Sequence, residues 1–410
     1  MIWTVERLGR RGDGVAVSGD QRALAPLTLP GEVIEGQAGD GRIAAPKIVT
    51  PSPERVRAPC PHYRACGGCS LMHASDDFVA GWKQQVVETA LAAQGIARGV
   101  DAIHTSPPRS RRRAVLSGRR TRKGALVGFH ARASDVIVDL ADCHVLTPPI
   151  TAALPLLRQI VAAGASRAGE ISLTVIDTPA GLDVTATGGK PEDAALTETL
   201  AGLAAEGDLA RLTWGDVPLT RRAPALPIGR AQVVPPPAAF LQATAEGEAA
   251  LLAEVRAAVA GARRIADLYA GIGTFALPLA EMAEVHAVEG LSAPLEALSA
   301  GWRGAPRLHR ITHEVRDLAR RPLLPDELSR LDAIVIDPPR AGAEAQTRQI
   351  AASKIETVAF VACDPANFAR DARILADGGF SIARLAVIDQ FRWSPHVEIA
   401  AHFRRNWNPA

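Results

Sequence analysis

Asp267-Leu268-Tyr269-Ala270-Gly271-Ile272-Gly273-Thr274-Phe275 joins an apolar run at 264–269, which predicts a buried strand, to a second apolar run that predicts a helix. Gly271 and Gly273 stand at the turn between them. Without a Cβ, the backbone there can approach a ligand in the crevice beyond the carboxyl ends of the strands. Glu289 ends the next predicted strand about twenty residues on, where an acidic side chain accepts hydrogen bonds from ribose hydroxyls. Gly-x-Gly-x-x-Ala is shared by dinucleotide and S-adenosylmethionine binders. The acidic residue ahead of the glycines and the later Asp337-Pro338-Pro339-Arg340 favour S-adenosylmethionine.

Outward from this stretch, strands are predicted at 284–289, 332–337, 356–363 and 381–388, with helical segments between most of them. Such alternation predicts an α/β fold: a Rossmann-like class I methyltransferase domain over 236–410, with a doubly wound, mostly parallel sheet. Asp337 falls at the sheet's carboxyl edge, where substrate and cofactor meet. Amino-directed methyltransferases follow Asp-Pro-Pro with an aromatic ring, and Arg340 has none, which counts against N-methylation. Val361-Ala362-Cys363-Asp364-Pro365 ends the next strand on the same edge.

A thiol in that position suits one reaction in particular. Carbon 5 of a neutral uracil is a poor nucleophile; thiolate addition at carbon 6 makes it a good one, and elimination later releases the thiol. Cys363 is the candidate nucleophile. The scheme requires a base, and His396-Val397-Glu398 in a predicted last strand offers Glu398, a carboxylate in an otherwise apolar segment with His396 on the same face.

Upstream, residues 1–48 alternate short β-like runs with Gly and Pro turns, which predicts a small OB-like β-barrel. Residues 49–235 read as a central α+β region, entered through a Pro-rich linker at 46–59 and closed by Pro235-Pro236-Pro237. A helix is predicted over 76–94. This region carries Cys60-x5-Cys66-x2-Cys69, with Cys143 following 74 residues later. Four cysteines suit an iron–sulfur cluster or a structural zinc. Three clustered ligands and one remote favour the former, while His62, His73 and His144 keep zinc open.

The whole chain has 410 residues, 47% hydrophobic and 22% charged, which excludes wholesale disorder. Residues 1–14 hold Glu6, Arg7, Arg10, Arg11 and Asp13 and no apolar core, unlike a signal peptide. No uncharged apolar run nears the roughly 18–20 residues that span a bilayer. A cytoplasmic location without membrane association is expected. Net charge is only +2, but Arg109, Arg111, Arg112, Arg113, Arg119, Arg120, Arg122, Lys123 and Arg132 follow one another with no acidic residue between. Such a block is the footprint of phosphate contact or a solvated basic face.

Taken in order, these motifs resemble the bacterial RNA 5-methyluridine methyltransferases that carry a [4Fe-4S] cluster, and among them the branch that has an N-terminal TRAM domain and acts on 23S rRNA. The resemblance covers nearly the whole chain, from Gly12-Asp13-Gly14-Val15-Ala16 and Leu29-Pro30-Gly31-Glu32 through Phe240-Leu241-Gln242 to the segment 389–398. It implies S-adenosylmethionine contacts at Gln242, Tyr269, Thr274, Glu289, Asp317 and Asp337, with Cys363 as nucleophile and Glu398 as base. It further implies cluster ligation by Cys60, Cys66, Cys69 and Cys143, RNA as the partner, most closely 23S rRNA, and a monomer. Ala270, Asp364, Arg392 and Ser394 depart from the family pattern, which often has Cys, Asn, Pro and Thr there. The rival readings are a tRNA uridine-5 enzyme, an RNA cytosine-5 enzyme (which has a second motif cysteine), and a non-catalytic iron–sulfur RNA-binding protein.

Overall fold

Five short strands open the chain in the computed structural model, which describes residues 1–405. Ile2–Leu8 alternates inward and outward residues, so Trp3, Val5 and Leu8 are buried while Thr4 and Glu6 face water. With Gly14–Ser18, Gln21–Ala25, Val33–Glu35 and Lys47–Thr50 it forms an antiparallel sheet. A bridge from Leu24 to Arg42 curls the sheet over Trp3, Ala16, Ala23, Ile34 and Ile43. Lys47–Thr50 runs past the boundary expected at 48.

A seven-stranded sheet follows, with Arg113–Thr121 between Glu170–Thr178 and Gly124–His130. Helices Leu154–Gly164 and Ala194–Glu206 cover it, and their apolar stripes pack on Leu116, Val127, Leu173 and Val184.

The last sheet has eight strands. Ile311–Val315, Glu284–Glu289, Arg264–Leu268, Ala333–Ile336 and Thr357–Ala362 lie side by side, all parallel. Glu398–Arg405 runs antiparallel beside Thr357–Ala362, Phe380–Asp389 turns back antiparallel to it, and Ala102–Thr105 closes the edge parallel to Phe380–Asp389. The central strands Ala333–Ile336 and Thr357–Ala362 are buried at every residue, as expected where both faces are covered.

The segment 76–105, read from the sequence as central, belongs with this last sheet. Helix Asp76–Ala92 buries Val87 and Leu91 among Leu385, Val387 and Phe403, and Ala102–Thr105 hydrogen-bonds beside Phe380–Asp389. The helix is pinned by Lys83, which is wholly buried and donates from Nζ to Asp389 Oδ1 at 2.5 Å and to the Phe391 carbonyl at 3.1 Å. Replacing Lys83 by Met leaves the Asp389 carboxylate buried without a cation, so stability should drop by about 3–5 kcal/mol. Thermal denaturation of the variant checks this. Among the described residues no helix is long and apolar enough to cross a membrane.

Candidate active site

The strand Arg264–Leu268 delivers the glycine turn to the sheet's carboxyl edge. Tyr269, Gly271 and Gly273 take φ of 65°, 55° and 94°. A left-handed tyrosine costs about 1–3 kcal/mol, strain concentrated where a ligand is expected. The two glycines serve different ends. A Cβ at Gly273 would lie 2.9 Å from Leu298 Cγ, so packing requires its absence. A Cβ at Gly271 would meet nothing within 4 Å and would project into open space. Thr274 is half-buried in the turn that follows, and the expected helix shortens to Ala276–Leu279.

Acidic groups converge on this turn. Glu289 Oε2 accepts the Gly271 N–H at 2.9 Å, while its Oε1 accepts from Gly290 and Leu291. Asp267 is fully buried and neither carboxyl oxygen has a hydrogen-bond partner. Burial, then the nearby charges of Asp337 and Glu289, pushes its carboxyl well above the usual range. The Tyr269 phenol is pushed up to about 12, by burial first and then by Asp371, Asp317 and Glu289. Asp317, on the exposed rim, caps Ala319 N–H at 3.0 Å. A cationic ligand relieves such a gathering of acids, and S-adenosylmethionine brings both a sulfonium and an ammonium group.

Cys363 follows the strand Thr357–Ala362, and Asp364 caps the helix Pro365–Asp377 by accepting Ala366 and Asn367 N–H, each at 3.0 Å. The thiol is therefore held between a strand end and a helix cap, and Asp364 caps as well as asparagine would. Arg10, in the turn between Ile2–Leu8 and Gly14–Ser18, pairs with the same Asp364 carboxylate. Burial, with the charges of Glu398 and Asp337, pushes the Cys363 thiol up to about 12, while Arg340 opposes the shift. Glu398, only 4% exposed, is also raised, by burial and then by Asp337. Asp337 is raised by burial and lowered by the Gln242 amide, which donates to Oδ2 at 3.2 Å.

His396 does not share a strand face with Glu398. The strand begins at Glu398, and His396 sits in the exposed loop before it, edge-on to Phe391. Two residues lie in motifs that the sequence singled out but were given no role there. Gln390 bonds to both Gln242 and Glu398; a buried amide in a polar loop gives no sequence signal. Phe240 is 71% exposed two residues before Gln242, and an aromatic just past a proline run was the available signal.

The four remaining cysteines lie in one neighbourhood as free thiols. A Cβ at Gly67 would come 2.7 Å from the His130 carbonyl, so glycine lets the loop lie against the strand Gly124–His130, bridging Cys66 to Ala131. Cys66 and Cys143 are pushed up by burial first and then by neighbouring thiols. His62 accepts Ala141 N–H, His73 Nδ1 meets the Tyr63 hydroxyl while its Nε2 is buried without a partner, and His144 faces Asp142. Among the described residues, no group of three or more His, Cys, Asp or Glu side chains is arranged to hold a single metal ion. The Cys69 thiol lies close enough to Cys143, Cys66 and Cys60 to feel their charges. The cysteine loop supports the segment that leads into Glu398, because Ser70 and Leu71 N–H both donate to the Trp393 carbonyl, at 2.8 and 2.9 Å. Trp393 in turn packs on Tyr63 and Met72.

The arginine block is dispersed by folding. Arg109 pairs with Asp142, Arg112 with Glu248 and Arg119 with Glu170. Arg113 donates to Ala239 O, Arg132 to Cys69 O, and Arg111 lies 5.6 Å over the Phe391 ring. Arg120, Arg122 and Lys123 remain exposed at the hairpin tip. If that tip touches phosphates, neutralising all three should lower the slope of log K against log salt by about 2–3. RNA binding measured across a salt series checks it.

A glycine turn ringed by acids, with a thiol and a buried carboxyl beside it on a parallel sheet, defines an S-adenosylmethionine-dependent methyltransferase. Residues 305–406, which include Asp337, Cys363 and Glu398, match the tRNA (Uracil-5-)-methyltransferase family model. An uncharacterized RNA methyltransferase of Caulobacter vibrioides is 42% identical, covering 98% of this chain and 99% of the relative. The 23S rRNA (uracil(1939)-C(5))-methyltransferase of Chromohalobacter salexigens is 32% identical over 96% of this chain and 87% of its own. In fold, the Pyrococcus abyssi tRNA (uracil-54, C5)-methyltransferase, solved with S-adenosyl-L-homocysteine, superposes with a TM-score of 0.76 at 21% identity, over 98% of this chain and 99% of that one. The chain belongs to the RNA (uracil-5-)-methyltransferase family.

Proposed function

We propose that this enzyme methylates carbon 5 of a uridine in 23S rRNA through a covalent adduct between Cys363 and carbon 6 of the base. The observation that carries the reading is the grouping of one thiol, Cys363, with the two raised carboxyls of Asp337 and Glu398. S-adenosylmethionine supplies an electrophilic methyl group, and Gln242, Tyr269, Gly271, Gly273, Thr274, Glu289, Asp317 and Asp337 would hold it. The uridine must leave its stack to enter, and the exposed Phe240 ring is available to stack on the extruded base.

Cys363 gives its proton to solvent water, a step that the Arg340 charge favours, and the thiolate adds to carbon 6. Carbon 5 gains enolate character and takes the methyl. Glu398 then removes the carbon-5 proton, the carbon 5–carbon 6 double bond re-forms, and the Cys363 thiolate departs.

The four free thiols fit a [4Fe-4S] cluster by donor chemistry, with Cys60, Cys66, Cys69 and Cys143 as ligands and the Gly68 N–H 3.4 Å from Cys66 Sγ. A cluster there would stiffen the loop that holds Trp393. The first sheet is read as a TRAM-like barrel that grips RNA. Relatedness along almost the full length to a 23S rRNA enzyme favours ribosomal over transfer RNA. Mapping 5-methyluridine in 23S rRNA and tRNA, from cells with and without the gene, tests the assignment. Loss of the mark from tRNA alone overturns it.

A further inference from the structure

Gln390 touches both halves of the candidate site. It follows the strand Phe380–Asp389 and is 2% exposed. Its Oε1 accepts the Ala243 N–H at 2.8 Å, which settles the two ends of the amide: the other end is the amino group, with two hydrogens to donate. Nε2 donates to Gln242 Oε1 at 2.6 Å and to Glu398 Oε2 at 3.1 Å. The orientation of Gln242 follows, since its Oε1 already accepts; its Nε2 donates to Asp337 Oδ2 at 3.2 Å. Donation therefore runs one way, from a backbone N–H out to two carboxyl groups.

The surroundings are shaped to keep this arrangement. Arg112 of the seven-stranded sheet clamps the 242–243 backbone, donating its N–H to Ala243 O at 2.9 Å and Nε to Gln242 O at 3.3 Å. In the helix Ala245–Ala258, a Cβ at Gly247 would lie 2.7 Å from Gln390 Cβ, 2.8 Å from the capping Thr244 Oγ1 and 3.1 Å from Gln390 Oε1. Alanine in a helix is otherwise favoured over glycine by about 1 kcal/mol. Glycine at 247 leaves room for the Gln390 amide.

We infer that Gln390 is a positioning residue that fixes Glu398 Oε2 as a hydrogen-bond acceptor, leaving Oε1 for the substrate, and keeps Gln242 locked on Asp337. The base and the methyl-donor side of the site are thereby held in register by one amide. The inference rests on the covalent uridine-5 reading. The charged groups facing Glu398 are Asp337, Arg340 and, once ionised, Cys363.

The test uses the full chain carrying Gln390→Met, which keeps bulk and loses both donors, and separately Gly247→Ala, which pushes on the amide from the helix side. Methyl transfer to an RNA transcript is followed against pH. In both variants kcat is expected to fall on the order of 10-fold to 100-fold, with a smaller rise in the KM for S-adenosylmethionine, because Gln242 keeps its own hydrogen bond to Asp337. Losing a donor favours the protonated carboxyl, so the ascending limb of kcat should move up by about one pH unit. An adduct with 5-fluorouridine RNA should still form, because fluorine at carbon 5 leaves no proton for Glu398 to take. An unchanged kcat and limb in Gln390→Met overturns the inference. So does a parallel fall of kcat, cofactor affinity and adduct yield, which marks Gln390 as merely structural. If the unmodified enzyme forms no adduct, the covalent reading fails and this inference falls with it, an outcome distinct from the other two.

Discussion

Cys363→Ala is expected to abolish methyl transfer, by roughly four orders of magnitude or more, while leaving S-adenosylmethionine binding intact. The size follows from the role: without a nucleophile at carbon 6, carbon 5 of uracil has no adequate electron density to attack a methyl group. The selectivity follows from position. Cys363 sits at the end of Thr357–Ala362, whereas the glycine turn belongs to Arg264–Leu268, two strands away across Ala333–Ile336. Removing one half-buried sulfur leaves the turn and its acids in place. Calorimetric titration of the cofactor, paired with a gel assay for the 5-fluorouridine adduct, checks both halves. Equal loss of binding and turnover would mean that Cys363 is a packing residue.

Glu398→Gln has a second large effect, with opposite consequences for activity and stability. Turnover should fall by about 10²–10⁴-fold, because the carbon-5 proton loses its acceptor. The methylated adduct should then accumulate on ordinary uridine RNA, visible as a protein–RNA species that survives denaturation. Stability should move the other way. Burial and Asp337 raise the Glu398 carboxyl to about 8 in the folded protein. An unfolded glutamate has a pKa near 4.3. Between those values the folded state keeps a proton that the unfolded state has released, so wild-type stability falls as pH rises through the window. Glutamine does not ionise and escapes that loss. The variant's melting temperature should match wild type near pH 4 and exceed it at pH 8. A constant difference across that range would show that Glu398 is not raised.

The parallel core of the last sheet was legible because a buried strand declares itself as an apolar run, and a glycine turn declares itself by residue type. The antiparallel return of Glu398–Arg405 beside Thr357–Ala362 was not, since hydrophobic runs carry no direction. Nor was the recruitment of Ala102–Thr105 to the sheet's edge: a four-residue strand distant in sequence has no local mark of its partner. The arginine block misled because charge adjacency in sequence says nothing of ion pairing. Glu248 and Asp142 approach Arg112 and Arg109 only after folding. His396 was placed by strand period on a strand that starts two residues later.

By itself, the sequence determined the class of reaction proposed: Gly271 and Gly273 with Glu289 were read for the cofactor, and one cysteine, Cys363, apart from the clustered four, was read as the nucleophile. Residue identity limits chemistry directly, because only a thiol, a carboxyl or a missing Cβ does these jobs. Tertiary structure alone decided how those groups behave. Asp267 was buried with neither carboxyl oxygen in a hydrogen bond, Glu398 came within reach of the Asp337 charge, and Gln390 was set between Gln242 and Glu398. Desolvation and hydrogen-bond direction arise from three-dimensional neighbours, and an amide or carboxyl carries neither in its letter.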